Sequence, residues 1–128
     1  MKAYLAAPWT DRANMPERAA RFEAAGHTVT TRWWEFEDRP GANFPSNEDD
    51  PYYEDLAYQD FIGVVQADVL VVFNTEKSEG KAVETGIATS LFKPVVLVGV
   101  RSNVFHYLPN TTVADDIDGA LHVLHVGW

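Results

Sequence analysis

The sequence predicts an α/β protein in which helices cover both faces of a parallel sheet of about five strands. Continuous apolar runs at 68–73 and 94–99 are typical of parallel strands that are buried on both faces. Stretches with the apolar spacing of amphipathic helices alternate with such runs. This alternation is the order of right-handed βαβ units, which place helices on both sides of a sheet.

Local signals assign the elements in order along the chain. Gly26 suits the C′ position at which the first helix stops. β-Branched and aromatic residues make the next segment a strand. The predicted elements are strand 3–7, a helix from about Asn14 to the stop at Gly26, strand 27–34, helix 51–66, strand 68–73, helix 80–92, strand 94–99, a polar turn and helix 115–124.

The chain has the size of one compact domain, with 128 residues and a mass of 14.3 kDa. We expect a single domain over 1–128, a flavodoxin-like or Rossmann-like doubly wound sheet in a three-layer sandwich. Ligands of such folds bind beyond the carboxyl ends of the strands. The segments 6–12, 34–51 and 74–80 should meet at that edge.

The composition excludes several classes of protein. A net charge of −9 disfavours binding to nucleic acid and to anionic membranes. The absence of cysteine excludes disulfides, thiolate catalysis and Cys-bound zinc, and the histidines show no metal-ligand spacing. No apolar run approaches the roughly 20 residues of a membrane span, and the apolar start is too short for a signal peptide. A cytoplasmic protein without metal or organic cofactor is expected.

The negative charge is concentrated in one segment. Residues 35–55 contain eight acidic side chains and only Arg39 as a base, which is −7 of the total −9. Three prolines and a glycine in the same segment predict a long loop. Because it follows a strand, we expect this loop to form an acidic lid over the ligand edge. Such a lid favours a nucleoside over a monophosphate dianion, unless Arg12 supplies local positive charge.

The other edge loops lack the motifs of several protein classes that commonly have this fold. The first loop has no Gly-x-Gly-x-x-Gly and only Thr10 as a hydroxyl, which argues against dinucleotide and flavin binding. The strand ends lack the acidic residues of a phospho-accepting receiver. The segment 78–81 does not match a Walker loop.

Two carboxylates are the candidates for chemistry. Glu84 lies in the first turns of the predicted helix 80–92, where the helix dipole favours its ionised form, as a nucleophile requires. The alternative is a structural Glu84 that pairs with Lys81. Asp60 is spaced to face the packed side of helix 51–66, where a raised pKa would let it donate a proton. Its alternative is a solvated rim residue.

The chain resembles the nucleoside 2-deoxyribosyltransferase superfamily, which includes the 2′-deoxynucleoside 5′-phosphate N-hydrolases, over almost its whole length. The segments that carry the resemblance share the order and spacing of that family. They are Tyr4 within Ala-Tyr-Leu-Ala-Ala-Pro, Asp60 with Ala67-Asp68-Val-Leu-Val-Val, Ser78-x-Gly80-x-x-x-Glu84-x-Gly86 and the strand Pro94-Val-Val-Leu-Val-Gly99.

The resemblance implies cleavage of an N-glycosidic bond with net retention, through a glycosyl ester on Glu84. Asp60 would protonate or orient the leaving base, and Tyr4 would hold the nucleophile and the sugar. Ser78 and the backbone of Gly80 would face the 5′ end of the sugar. The chain departs from the nucleotide hydrolases at Ala7-Pro8, where that group has Gly-Ser. The choice between monophosphate and nucleoside, and between hydrolysis and transfer, therefore stays open.

Further residues are candidates for the base pocket and for a shared site. Trp9 and the Trp33-Trp34 pair would stack on a base, or belong to the core. The resemblance implies a homodimer in which Asn103 and His106 complete the neighbouring site; the alternative is an Asn turn with a surface histidine.

Other functions remain open at this point. The same chemistry would serve an N-glycosidase acting on NAD or a modified nucleotide. A non-catalytic nucleotide-binding module would not need Tyr4, Asp60 and Glu84 together. An interaction protein that binds a basic partner through segment 35–55 has no other support in the sequence.

Overall fold

The computed structural model describes residues 1–36 and 51–127 and confirms the predicted fold class. Within these residues, five strands alternate with four α-helices, and three short 3-10 turns occur at 9–14, 33–35 and 104–107. The elements are β1 (Lys2–Ala6), α1 (Met15–Ala24), β2 (Thr28–Val29), α2 (Pro51–Gln66), β3 (Val69–Asn74), α3 (Glu79–Ser90), β4 (Val95–Gly99), β5 (Thr111–Ala114) and α4 (Ile117–Val126).

All strand pairs are parallel, in the order β2-β1-β3-β4-β5. Helices α2 and α3 pack together on one face. On the other face Arg21 of α1 forms an ion pair with Asp118 of α4. The chain reverses its direction of winding between β1 and β3, and ligands of doubly wound folds bind at this switch point. The side chain of Tyr4, in the middle of β1, is completely buried.

Two elements differ from the sequence prediction. The strand predicted over 27–34 is only β2, because the chain leaves the sheet after Val29 and turns at 33–35. The Trp33 indole anchors this turn by donating a hydrogen bond of 2.7 Å to the carbonyl oxygen of Leu5. The segment predicted as a polar turn contains β5, an edge strand with three half-buried positions, Thr111 to Val113. Edge strands lack the continuous apolar run that identifies central ones.

The acidic lid predicted over 35–55 falls largely outside the described residues, which omit 37–50. Helix α2 begins at Pro51, near the carboxyl end of the predicted lid, as the sequence predicted. Within the ranges 1–36 and 51–127, no helix combines the length and the hydropathy that crossing a membrane demands.

Candidate active site

The candidate site is built around the hydroxyl group of Tyr4. Tyr4 lies on the inner strand β1 and points to the face covered by α2 and α3. Its hydroxyl donates a hydrogen bond to Oε2 of Glu84, which is 80 residues away in sequence. The resemblance implied this contact, and the structure brings the two side chains together.

Glu84 projects from the second turn of α3 towards the sheet. Ser78 caps the helix, since its hydroxyl accepts a hydrogen bond of 3.3 Å from the backbone N–H of Lys81. The alternative in which Glu84 pairs with Lys81 is wrong. The Lys81 ammonium group instead donates to Oδ1 of Asn74 and to the backbone carbonyl of Glu76. The helix is therefore fixed by other groups, and the Glu84 carboxyl is held by Tyr4.

Asp60 lies half-buried on α2, on the packed side as predicted. Its Oδ1 atom is buried, and no group in the described part of the chain forms a hydrogen bond with it. A buried carboxyl oxygen without a partner costs free energy that a folded protein normally avoids. Such an atom is suited to receive a polar group of a ligand.

Burial raises the pKa of all three groups in this cluster. Loss of solvation raises the pKa of Glu84 to about 8, and the nearby Asp60 adds to this effect, while the hydrogen bond from Tyr4 opposes it. Burial likewise raises the pKa of Asp60 to about 6, again against the effect of Tyr4. The pKa of Tyr4 lies well above its ordinary value, first through burial and then through the two carboxylates. The tyrosine therefore acts as a neutral donor.

One prediction about ionisation is confirmed and the other is wrong. The raised pKa of Asp60 agrees with the sequence prediction. Glu84 was expected to stay ionised in the field of its helix, but desolvation and the nearby Asp60 raise its pKa to about 8. Two neighbouring carboxyls with apparent pKa values of about 6 and about 8 hold one proton between them at neutral pH.

The aromatic residues meet at the carboxyl edge of β1. The ring centroids of Trp9 and Trp33 are 6.1 Å apart, and those of Trp33 and Trp34 are 5.6 Å apart. Trp33 and Trp34 are buried, whereas Trp9 is 38% exposed and carries the Arg12 guanidinium 4.6 Å from its ring centroid. The Nε1 atom of Trp34 is buried and has no hydrogen-bond partner within 1–36 and 51–127.

The loops after β1 and β3 meet, as predicted. The Thr10 hydroxyl donates to the carboxylate of Glu76, and the Thr75 hydroxyl donates to Oδ2 of Asp11 at 3.4 Å. Gly80 follows in the first turn of α3, where its Cα faces open space. Ser78 and Gly80 therefore lie at the ligand edge, although the Ser78 hydroxyl is engaged as a helix cap.

A cavity of about 680 Å³ lies on the flank of α3 that faces the loop after β4. Neither Glu84 nor Asp60 lines it. Polar and charged residues of both signs contribute to its lining, but most of its surface is apolar. The lining includes Asn74, Lys77, Ser78, Lys81, Asn103 and His106.

Asn103 and His106 form part of this second flank. The Asn103 side chain accepts a hydrogen bond of 2.9 Å from the N–H of Phe105, which is the turn that the sequence left as an alternative. His106 is buried rather than a surface residue, and its Nδ1 accepts a hydrogen bond of 3.0 Å from the N–H of Ser102. Burial, with Lys81 and Arg101 nearby, lowers the pKa of His106.

Sequence reasoning missed two residues near the candidate site, one on each flank of α3. Lys81 is 5% exposed, which is rare for lysine, and no local sequence pattern predicts its burial. Gly63 is packed against Thr31 and Tyr4, and a glycine inside an otherwise helical segment was the available signal. Among residues 1–36 and 51–127, no group of three or more His, Asp or Glu side chains has the geometry of a metal site.

No family model and no curated protein matches this sequence. Among solved structures, the chain is similar to the CMP N-glycosidase of Clostridium botulinum, with 15% sequence identity and a TM-score of 0.62 over 98% of this chain and 100% of that one. It is also similar to the 2-deoxyribosyltransferase of Bacillus psychrosaccharolyticus, with 19% identity and a TM-score of 0.69 over 94% and 90% of the two chains.

Both similarities extend over nearly the whole of each chain. The protein therefore has the same fold as these two proteins, and the resemblance predicted from the sequence is confirmed at the level of the fold. At 15% and 19% identity, function has to be argued from the site itself.

Proposed function

We propose that this protein is an enzyme that cleaves the N-glycosidic bond of a nucleoside or a nucleoside 5′-monophosphate and transfers the sugar to water or to another base. The observation that carries the proposal is the cluster of buried Tyr4 with half-buried Asp60 and Glu84, in which the tyrosine holds one carboxyl while the second has a buried oxygen without a partner in 1–36 and 51–127. The two structural relatives, a nucleotide N-glycosidase and a deoxyribosyltransferase, support it.

In the proposed first step, the Glu84 carboxylate attacks the anomeric carbon C1′. A bond forms between C1′ and a Glu84 oxygen, and the bond between C1′ and the base nitrogen breaks. The electron pair of that bond leaves with the base, which takes the proton held by Asp60. The product is a glycosyl ester with inverted configuration.

In the second step, water or the nitrogen of another base attacks C1′ of the ester. Asp60, now ionised, accepts the proton of the attacking group, and the C1′–oxygen bond to Glu84 breaks. A second inversion gives net retention. Tyr4 assists by donating its hydrogen bond to the carboxylate that leaves.

The proton shared by the two carboxyls has to reside on Asp60 in the reactive form. Below pH about 6 both carboxyls are protonated and the nucleophile is lost. Above pH about 8 both are ionised and the acid is lost. A bell-shaped dependence of kcat/KM on pH, with limbs near these values, is the expected signature.

We assign the remaining contacts by their position at the same edge. Trp9, which is partly exposed, and Trp34, whose Nε1 atom has no partner in the described part of the chain, are proposed to contact the base. Arg12, Ser78 and the backbone of Gly80 are proposed to face the 5′ end of the sugar. The reaction as written requires no cofactor, and we propose that it takes place in the cytoplasm.

We further propose that the enzyme is a homodimer in which Asn103 and His106 complete the neighbouring site. The face formed by α2, α3 and the turn at 104–107 supports this, because large apolar side chains are exposed there in the single chain. They include Tyr58, Phe61, Val83, Val104, Phe105 and Tyr107.

A substrate panel tests the proposal. The protein is incubated with ribonucleosides, deoxynucleosides, their 5′-monophosphates and NAD, with and without a second free base, and base release is followed by chromatography. We expect release from at least one nucleoside or monophosphate, and a fall of about 1,000-fold or more with Glu84→Gln. Release from NAD alone would show that the substrate is an N-ribosyl compound other than a nucleoside or its 5′-monophosphate. Binding of nucleotides without turnover of any N-glycoside would overturn the proposal in favour of a binding module.

A further inference from the structure

Gly63 allows a close approach between α2 and the end of β2. It is buried on α2, one turn after Asp60. A Cβ atom at this position would lie 1.9 Å from Oγ1 of Thr31, 3.0 Å from Cβ of Thr31 and 3.1 Å from Cδ2 of Tyr4. The first distance is impossible, so any side chain here would displace Thr31 or the helix. Glycine is therefore required for the observed spacing.

Two threonine hydroxyls hold the helix at this spacing. The Thr30 hydroxyl donates a hydrogen bond of 2.9 Å to the carbonyl oxygen of Gly63. The Thr31 hydroxyl donates one of 3.2 Å to the carbonyl oxygen of Gln59. The Gln59 carbonyl directly precedes Asp60 in the helix, and the Gly63 carbonyl lies one turn after it. The segment of α2 that carries Asp60 is thus tied to the chain that leaves β2.

We propose that Gly63 and Thr31 are positioning residues that set the distance of Asp60 from the Tyr4–Glu84 pair. The catalytic part of this inference rests on the proposed function. The physical part does not, because the electrostatic interaction between the Asp60 and Glu84 carboxyls depends on their separation whatever they catalyse. A helix displaced by a methyl group would move Asp60 away from the pair, and a misplacement of about 1 Å costs on the order of 100-fold in rate.

The test is Gly63→Ala, read out in two independent ways. Carbon-13 NMR of the side-chain carboxyls, in the protein without substrate, follows the titration of Asp60 and Glu84. We expect at least one of the two pH midpoints to move by about 0.5. With the substrate found by the panel, we expect kcat to fall by about 100-fold with a smaller change in KM, and the pH limbs to move with the titration.

Gly86→Ala is the matched control, because it changes a helical glycine of α3 whose added Cβ meets open space. It should leave both titration and rate unchanged. A folded Gly63→Ala protein with the titration and rate of the wild type would overturn the inference. A wild type that turns over no substrate would refute the proposed function while the titration still tests the contact.

A second pair of variants tests the contact without adding atoms and serves if Gly63→Ala does not fold. Thr31→Ala removes the hydroxyl bonded to Gln59, and Thr31→Ser keeps it. We expect the carboxyl midpoints and the pH limbs to move in the alanine variant and to return in the serine variant. Equal behaviour of the two variants in both readouts would contradict a positioning role for Thr31.

Discussion

The two flanks of α3 place buried ionisable groups in opposite situations. On the flank towards α2, burial raises the pKa of Glu84 and Asp60. On the other flank, burial lowers the pKa of Lys81 and His106. The cause is the same, since a low-dielectric environment disfavours the charged form of acids and bases alike. The direction differs because acids are neutral when protonated and bases when deprotonated.

The flanks also differ in how their polar atoms are used. On the second flank Lys81 donates to Asn74 and Glu76, and His106 accepts from Ser102, so that these groups hold the chain together. On the first flank an oxygen of Asp60 has no partner in the described residues. Polar groups with local partners thus serve the fold, whereas a buried polar atom that lacks one is available for chemistry.

The largest expected effect comes from removing the nucleophile on the first flank. Glu84→Gln keeps the size of the side chain and the hydrogen bond with Tyr4, but it cannot form the glycosyl ester. We expect base release to fall by about 1,000-fold or more. Glu79→Gln, at an exposed position in the first turn of the same helix, is the control and should keep the wild-type rate. Comparable activity in the two variants would break the distinction between the flanks.

Tyr4→Phe should have the next largest effect. The ring still fills the buried site, but the donor that stabilises ionised Glu84 is lost. Since that hydrogen bond lowers the pKa of Glu84, the variant should raise it further. We expect a rate loss of about 10-fold to 100-fold and an alkaline limb displaced to higher pH. An unchanged limb would show that Glu84 does not belong to the titrating pair.

The raised pKa of Glu84 also predicts how stability depends on pH. From its ordinary value of 4.5 up to about 8, the folded state holds the Glu84 proton more tightly than the unfolded chain does. Its contribution to stability is therefore fully present below pH 4.5 and is lost as pH rises to about 8.

Glu84→Gln cannot ionise and escapes this loss. At pH 8 we expect the variant to melt about 5 °C above the wild type, with a smaller difference at pH 5. Thermal unfolding at the two pH values measures it. A difference that grows towards low pH would mean that the pKa of Glu84 is lowered by folding.

The smallest effect is expected on the second flank. Ser78→Ala removes the cap of α3 and should lower the free energy of unfolding by about 1 kcal/mol, while Ser78→Asp should keep most of it. Denaturant unfolding measures the loss. The pH limbs should not move in either variant, because Ser78 lies outside the proton-sharing cluster. A displaced limb would show that the two flanks are coupled.

The sequence predicted the elements whose signals are local and strong. The buried strands β3 and β4 and the helix Pro51–Gln66 were recognised because an apolar run or a helical period identifies them without tertiary context. The edge strands were mistaken in length or missed, since β2 has only two residues and β5 is half-buried. Pairing with a neighbour, rather than local preference, makes them strands.

The residues of the candidate site could be predicted from the sequence, whereas their pKa values could not. The resemblance brought Tyr4, Asp60 and Glu84 together before any coordinates did. The ionisation of Glu84 was mistaken because a helix dipole can be read from sequence, whereas the depth of burial cannot. The contact between Gly63 and Thr31 joins residues 32 positions apart, and only the packing of α2 on the sheet shows it.

Mass spectrometry of a trapped intermediate tests whether Glu84 becomes glycosylated. Substrates with fluorine at C2′, as nucleosides and 5′-monophosphates, slow the breakdown of a glycosyl ester because fluorine destabilises the cationic transition state. Trypsin, which does not cut before proline, releases peptide 82–101, in which Glu84 is the only acidic side chain. If Glu84 is the nucleophile, this peptide gains the mass of the fluorinated sugar. Base release without any adduct on peptide 82–101, or with the adduct on the peptide that contains Asp60, would contradict this role of Glu84.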